Sequence, residues 1–502
     1  MYRLTESLTN DITGGEISIT APGKMDTKYS LLLQNLYIKD NKIRKIWGYK
    51  PLHTNKIATA VSSGIEFAYG PNKQVYVGGK GTIYRIAGNE LLELYQSPNF
   101  QNSTKKIHFV QMTDKVVAVN GDDVVCYIQN NNVFDKRYWT LLDNFLPSKP
   151  FIFKNRVWYV NSLNKMEAMH SALQDPIKIE GYIDFSSVLP QADELIDIKG
   201  YLDFICFIFK NHIVVYSGNV PTGTDADFAL YQIINLPGIL SSETNLNVEN
   251  SLFIATKTGI KNLAMVYPST KIVVNDFSQI NNPAIMTMLQ IDADEDYYTC
   301  GYWPKENMYI WCFGRNAVVF NGVYKAFSRI VFPEAKCQFK GCFNDIEGNL
   351  NVLAGGYLHQ YGNDYQFNGE DFLPIWKTAW IPLHPYGATC FPRYAELIFG
   401  ASKCGGSVDI QAQVFNGNAV SFDYAVGPYD VNYDTAVIAS KMDQERNYTW
   451  EEDFYMDSYS PIPLRIALQG VGKYIALTIS EKETVRGLEF TSVGIFSERS
   501  RK

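Results

Sequence analysis

The stretch Val116-Val117-Ala118-Val119-Asn120-Gly121-Asp122-Asp123-Val124-Val125 reads as a short β-rich run, a tight turn at Asn-Gly and a second run. Asn-Gly is a preferred pair for a two-residue hairpin, because both central residues need positive φ. The same shape recurs along the chain. Upstream it is Val75-Tyr76-Val77-Gly78-Gly79-Lys80-Gly81-Thr82-Ile83-Tyr84. Downstream come Arg156 to Asn161, Phe204 to Phe209 turning into Ile213 to Tyr216, Leu252 to Ala255 with Thr258-Gly259, Tyr309 to Phe320, and Leu350 to Leu358. The turns fall near 79, 120, 161, 210, 258, 314 and 355, in steps of 41, 41, 49, 48, 56 and 41 residues. A four-stranded propeller blade occupies roughly 40–50 residues. One hairpin cannot bury both of its faces, whereas radial stacking of hairpins can and leaves only short edges. The spacing therefore predicts an all-β chain with a β-propeller of about seven blades over residues 45–370, six or eight being alternatives. Two β-sandwiches in series are the competing plan, but they lack a period of this length. Helical periodicity is nearly absent; Leu163 to Leu173 reads either as a helical turn or as a loop with strand ends.

Composition agrees with this. Of 502 residues, 46% are hydrophobic, 19% charged and 14% aromatic, with 33 Tyr and 29 Phe. Such a chain folds, and aromatic residues suit the half-buried surface of a sheet. Near residue 370 the texture changes. Residues 363–386 carry three prolines and several aromatics, which argues against a central strand there and marks a domain boundary. Beyond it, alternating runs from Tyr394 to Phe399, Val408 to Phe415, Leu464 to Leu468, Tyr474 to Ile479 and Leu488 to Phe496 predict an antiparallel β-sandwich over 371–502. Residues 1–44 form an N-terminal segment expected to pair with the sandwich or to close the propeller.

The net charge of -7 argues against a protein that grips nucleic acid through its phosphates. The eight cysteines form no CxxC pair and mostly sit in apolar runs, so they read as reduced, buried hydrophobes. The first residues carry no signal-peptide pattern and no apolar stretch is long enough to span a bilayer, which predicts folding in a cytosol.

A search for chemistry returns no catalytic, cofactor-binding or metal-binding residue. His53, His108, His170, His212, His359 and His384 have no metal-ligand spacing, and no G-x-S-x-G elbow occurs. Val77 to Thr82 faintly resembles a phosphate loop, but Gln74 stands where its first glycine belongs and Gly81 follows Lys80, so a hairpin turn is expected. Asp292, Asp294, Glu295 and Asp296 make the densest acidic cluster, read as a solvated loop in preference to a Ca²⁺ site. Lys39, Lys42, Arg44, Lys45 and Lys50 around Trp47 could face DNA or an acidic partner, or be the wet face of a strand. Trp376 and Trp380, and Trp450, Phe454, Tyr455 and Tyr459 in 443–463, are candidates for assembly surfaces, with core filling as the alternative. The tail Arg499 to Lys502 reads as a frayed terminus.

Several ordered pieces resemble a known family. Gly14-Gly15-Glu16-Ile17-Ser18, Leu33 to Ile38 and Lys42 to Tyr49 resemble the opening of the tail hub proteins of short-tailed bacteriophages, also called nozzle or packaged-DNA stabilisation proteins. Trp47 stands where that family has a proline before the glycine. Val117 to Gly121, Asn155 to Tyr159, Ser171 to Pro176, Asp203 to Phe207 with Ile213 to Tyr216, and Arg486 to Ile495 continue the resemblance in order. What it implies is a structural virion protein with no catalytic residue. It would form a homo-oligomeric ring, usually a hexamer, below the portal and its adaptor, assembled in host cytoplasm. The ring would continue the DNA channel, retain packaged DNA, support DNA ejection and hold a needle, plug or fibres. An acidic lumen would let DNA slide past without sequence-specific binding. Two further readings are a propeller glycosidase, for which Asp294 and Glu295 are the nearest paired acids although the Ser-x-Asp-x-Gly box of sialidase blades is absent, and a non-catalytic adhesin that binds host glycans.

Overall fold

The computed structural model describes residues 5–9, 11–18, 24–53, 56–57, 61–69, 72–79, 81–88, 90–96, 105–122, 125–134, 145–189, 191–399, 406–417, 419–431, 462–481 and 489–499. Strand dominates throughout; the described residues contain one α-helix, Asn282–Ile291. Two compact units result. Unit 1 is built from Met1–Tyr49, Ala317–Pro333 and Gly362–Lys502, and unit 2 from Lys50–Asn316 and Glu334–Tyr361.

Unit 2 contains successive four-stranded antiparallel meanders, the sheet type of propeller blades. The first runs Val61–Tyr69, Asn72–Gly79, Thr82–Ala87, Glu90–Gln96. The second is His108–Met112, Lys115–Val119, Val125–Gln129, Asn132–Phe134, and the third Pro147–Phe153, Arg156–Asn161, Glu167–Ala172, Asp175–Asp184. The fourth is Leu195–Tyr201, Phe204–Phe209, His212–Ser217, Ala229–Asn235, and the fifth Leu246–Val248, Ser251–Thr256, Gly259–Val266, Lys271–Asp276. A further hairpin pairs Ala293–Trp303 with Met308–Gly314. The last sheet orders Gly341–Asn344, Leu350–Ala354, Tyr357–Asp364 and then Gly48–Pro51. Leu52 N donates to Leu358 O at 2.9 Å, so the start of the unit is hydrogen-bonded to its end.

The second strand of each sheet explains the long apolar runs. Successive side chains on a strand point to opposite faces. In Lys115–Val119, Val116 and Ala118 pack with Phe67, Tyr76 and Ile83 of the first sheet. Val117 and Val119 pack with Val157 and Tyr159 of the third. In Arg156–Asn161 the other face, Trp158 and Val160, joins Ile205, Phe207 and Phe209. Cys206 and Ile208 turn the other way, onto Leu252 and Ile254. Val77 packs with Leu353 and Leu358 of the last sheet. Each of these second strands is covered on both faces, and each large apolar side chain so buried contributes about 1.5–3 kcal/mol. Outermost strands such as Ala229–Asn235 are largely exposed.

Turn chemistry follows the sequence at several corners. Lys154 and Asn155 both take positive φ, 47° and 59°, between Pro147–Phe153 and Arg156–Asn161. Gly355 and Gly356 do the same at 60° and 87°. Asn161 departs from expectation: the chain runs on through Ser162 to Met166 before the next strand. The Leu163–Leu173 stretch is loop and strand, with Glu167–Ala172 buried in the third sheet. Helix Asn282–Ile291 escaped the sequence reading; Pro283 sits in its first turn, where a missing N–H costs nothing, and only Ile285 and Met288 are buried.

In unit 1 the sequence boundaries at 44/45 and 370/371 do not coincide with the compact unit. The N-terminal stretch is woven into it. Leu36–Lys39 pairs with Lys42–Lys45, which pairs with Glu489–Arg499; Thr5–Thr9 pairs with that same strand. Cys390–Phe399 lies between Glu489–Arg499 and Ile462–Ala467. In a second sheet, Tyr29–Gln34 pairs with Ile375–Thr378, then Tyr474–Glu481, Gly406–Phe415 and Val420–Val431 follow. Both sheets feed one core, with Ile38, Ile43, Leu397 and Val493 from the first and Leu33, Trp376, Ile410 and Leu477 from the second. Ile375–Thr378 is a central strand, against expectation, because Pro374 and Pro382 flank it and its ladder groups stay free to pair.

Candidate functional site

The first strands of the unit 2 sheets converge on a cavity of about 400 Å³. Its lining is polar: His108 and Lys149 come from the second and third sheets, Asp197 and Lys199 from the fourth, and Glu243 and Asn245 from the turn entering the fifth. Three lining positions lie at strand irregularities. Pairing slips between Val61 and Ser63, between Ser148 and Phe151, and between Leu195 and Asp197. A bulge re-aims the side chain beside it. Lys149 in addition takes φ 48° directly before Pro150, a left-handed conformation that a non-glycine residue adopts at a cost of about 1–3 kcal/mol. Glu243 is presented by the 3-10 turn Ser242–Thr244, whose Ser241 Oγ accepts from Glu243 N at 3.2 Å.

The charges form two groups. In one, the Lys149 ammonium contacts the Glu243 carboxylate and lies 2.8 Å from His108 Nε2, with Glu243 Oε1 3.4 Å from the same nitrogen. These side chains are about a fifth exposed, at 21%, 20% and 19% for Lys149, Glu243 and His108. Burial, reinforced by the Lys149 ammonium, pushes His108 down to about 3. The imidazole is therefore neutral and its Nε2 accepts from Lys149. Burial alone would raise the Glu243 carboxyl, but the ammoniums of Lys149 and Lys106 outweigh it and hold it well below the usual carboxylate range. In the other group, Lys199 Nζ lies 3.2 Å from Asp197 Oδ1, and Asn245 Nδ2 donates to Asp197 Oδ2 at 3.1 Å. Burial raises the Asp197 carboxyl against the pull of Lys199. Beside the cavity Lys106 donates to Tyr298 O at 2.9 Å and Lys340 O at 3.0 Å, and burial lowers it. The Cys342 thiol, also lining the cavity, is pushed up to about 12 by burial and stays protonated.

The residues singled out from sequence lie elsewhere, except His108. His53 Nε2 accepts from Leu358 N at 3.1 Å; His359 is buried, lowered to about 4, with Nε2 3.0 Å from Ala354 O. His170 is buried against Trp158, His212 Nδ1 lies 2.8 Å from Asp193 Oδ2, and His384 Nδ1 accepts from Tyr386 N. Asp294, Glu295 and Asp296 are exposed on the start of Ala293–Trp303, not on a loop, while Asp292 accepts from Asn316 Nδ2 at 2.9 Å. Among the described residues no group of three or more His, Cys, Asp or Glu is placed to hold a metal ion. Three residues of the basic cluster are engaged within unit 1. Lys42 and Arg44 reach Glu489 at 3.1 and 3.0 Å, and Lys45 pairs with Glu481 at 3.7 Å. Trp47 stacks on Tyr365. Trp376 and Trp380 fill the core of unit 1: Trp376 Nε1 donates to Ser30 Oγ at 3.0 Å and its ring packs on Phe490, while Trp380 packs on Phe415. Trp450, Phe454, Tyr455 and Tyr459, the tail beyond Arg499, and Lys80, Cys404 and Arg486 to Leu488 lie outside the described residues. The seven described cysteines are free thiols. No described helix is long and apolar enough to cross a membrane.

No family model and no curated protein matches the sequence. Solved structures of similar shape exist. A streptogramin B lyase is 10% identical, with 63% of this chain and 97% of that one covered and a TM-score of 0.44. The WD40 β-propeller domain of Doa1 is 9% identical, covering 63% and 98%, with a TM-score of 0.42. A chain of the mitotic checkpoint complex is 7% identical, covering 63% and 92%, also at 0.42. At this distance none of them bears on what this chain does.

Proposed function

We propose that this chain is a structural protein of a short bacteriophage tail, the hub or nozzle ring below the portal and adaptor. On this reading unit 2 is a closed seven-bladed propeller and unit 1 a β-sandwich. Copies assemble into a ring, a hexamer by the family resemblance, that continues the DNA channel, retains packaged DNA, supports its ejection and carries a needle, plug or fibres. The propeller part is supported by the shared cores of successive sheets and by the bond between Leu52 and Leu358 that joins the unit's ends. The observation that carries the functional part is the ordered resemblance, whose pieces fall on framework positions. Gly15, at φ 75°, packs with a would-be Cβ only 2.7 Å from Phe327 N, so only glycine fits there. Glu16 beside it is bound by Arg329 and accepts from Leu33 N at 3.0 Å. Val117 to Val119 and Arg156 to Tyr159 are doubly covered core strands.

The glycosidase reading draws little from its nearest candidates, because Asp294 and Glu295 are exposed side chains at the irregular start of one strand. The cavity carboxylates, Asp197 and Glu243, are each held by a lysine. Native mass spectrometry and electron microscopy of the purified full chain test the tail reading. A ring, with six copies expected, supports it. A strict monomer that joins no particle with portal and adaptor overturns it.

A further inference from the structure

The two ends of unit 2 meet on a pair of buried histidines. Leu52 N donates to Leu358 O at 2.9 Å, and Ile57 N donates to Gly356 O at 2.7 Å, so the entering segment is bonded to the last sheet. A third bond at this seam is of another kind. Leu358 N donates to His53 Nε2 at 3.1 Å, and His53 is 3% exposed. A ring nitrogen accepts only when it carries no proton, so this bond exists only while His53 is neutral with its proton on Nδ1. Protonation sets donor against donor and places a charge where little water reaches. His359, next in the chain after Leu358, is fully buried, with Nε2 3.0 Å from Ala354 O. Burial lowers it to about 4; its bonds to the backbone of Ala354 and Lys50 oppose this, and His53 adds to it. A charge on either imidazole therefore disfavours a charge on the other. The Tyr357 ring centre lies 5.7 Å from that of His53 and 6.2 Å from that of His359. Also packed here are Lys50 and Lys56 on the entering segment, and Tyr84, which joins the Ile57 cluster from the first sheet.

We propose that this seam is an acid-sensitive latch: neutral His53 and His359 hold the entering segment on the last sheet, and protonation of the pair releases it while the sheets themselves stay folded. A buried imidazole whose folded pKa is depressed contributes stability that is complete above about pH 6.5 and is lost as pH falls toward the folded value. For His359, near 6.5 unfolded and about 4 folded, opening becomes about thirtyfold easier between pH 7.5 and 5.0. Loss of the Leu358–His53 bond acts in the same direction. The latch works within one copy and stands whether or not the chain builds a tail.

Hydrogen exchange of the full chain at pH 7.5 and 5.0, read residue by residue by mass spectrometry and corrected for the intrinsic rate, decides it. The amides of Leu52, Ile57 and Leu358 are expected to lose at least about tenfold in protection at the lower pH, and those of the core strand Phe204–Phe209 less than about threefold. His53→Gln supplies an acceptor for Leu358 N that does not titrate. Combined with His359→Gln, it is expected to reduce the pH effect at the three seam amides to under about threefold. Unchanged protection of those amides in the unaltered protein overturns the proposal. So does a loss shared equally by Phe204–Phe209, which is global unfolding and not a latch. A pH effect that survives the double substitution overturns it as well. The first two outcomes need no variant, so a variant that fails to fold does not shield the proposal.

Discussion

Two lysine–glutamate pairs, one in each unit, differ in their surroundings more than in their chemistry. Lys45 and Glu481 in unit 1 are 1% and 3% exposed, with the Lys45 ammonium 4.8 Å from the centre of the Phe372 ring. Lys149 and Glu243 in unit 2 are about a fifth exposed on a polar cavity. The first pair is dry: burial lowers Lys45 even though Glu481 opposes it. The second keeps partial hydration, and the ammoniums of Lys149 and Lys106 favour the ionised form of Glu243. A dry pair is costly to break, because the survivor is a bare charge in low dielectric. A partly hydrated pair costs less to break.

Glu481→Gln is expected to destabilise unit 1 by about 3–5 kcal/mol in urea unfolding, whereas Lys45→Met combined with Glu481→Leu is close to neutral. If the single and double variants cost the same, the pair is not dry and the contrast with unit 2 disappears. His108 gives the next effect. Its folded pKa, about 3, lies below the unfolded value near 6.5, so its contribution is complete above about pH 6.5 and lost as pH falls toward 3. His108→Gln should flatten that part of the pH–stability profile. Glu243→Gln is expected to cost about 1 kcal/mol. Because the folded Glu243 pKa is lowered, that cost should be present above about pH 4.3 and fade below it. Lys210 and Glu194, paired at 2.7 Å but 53% and 52% exposed, complete the series: Lys210→Gln should shift stability by less than about 0.5 kcal/mol. A ranking by anything other than exposure would break the comparison.

The legible part of this fold was local. Apolar runs such as Phe204 to Phe209 mark strands whatever lies beside them, and glycine or asparagine turns repeat wherever a meander reverses. The same local logic misplaced Trp376 and Trp380. Their neighbouring prolines looked like loop residues, but the core of unit 1 had room for both rings and prolines at the strand's edges left its ladder intact. Of the basic stretch around Trp47, the sequence showed only like charges in a row. The carboxylates that answer them, Glu481 and Glu489, arrive from the far end of the chain.

The amino-acid order by itself determined that this chain is β throughout, that its strands recur with a blade-like period and that each central strand is apolar on both faces. Those properties depend on residues within a few positions of each other. Only the tertiary structure decided where charge and cavity meet. Lys149 reaches His108 across 41 positions and Glu243 across 94, and Asn245 reaches Asp197 across 48. Distances of that kind are set by how sheets stack, and no local pattern encodes them.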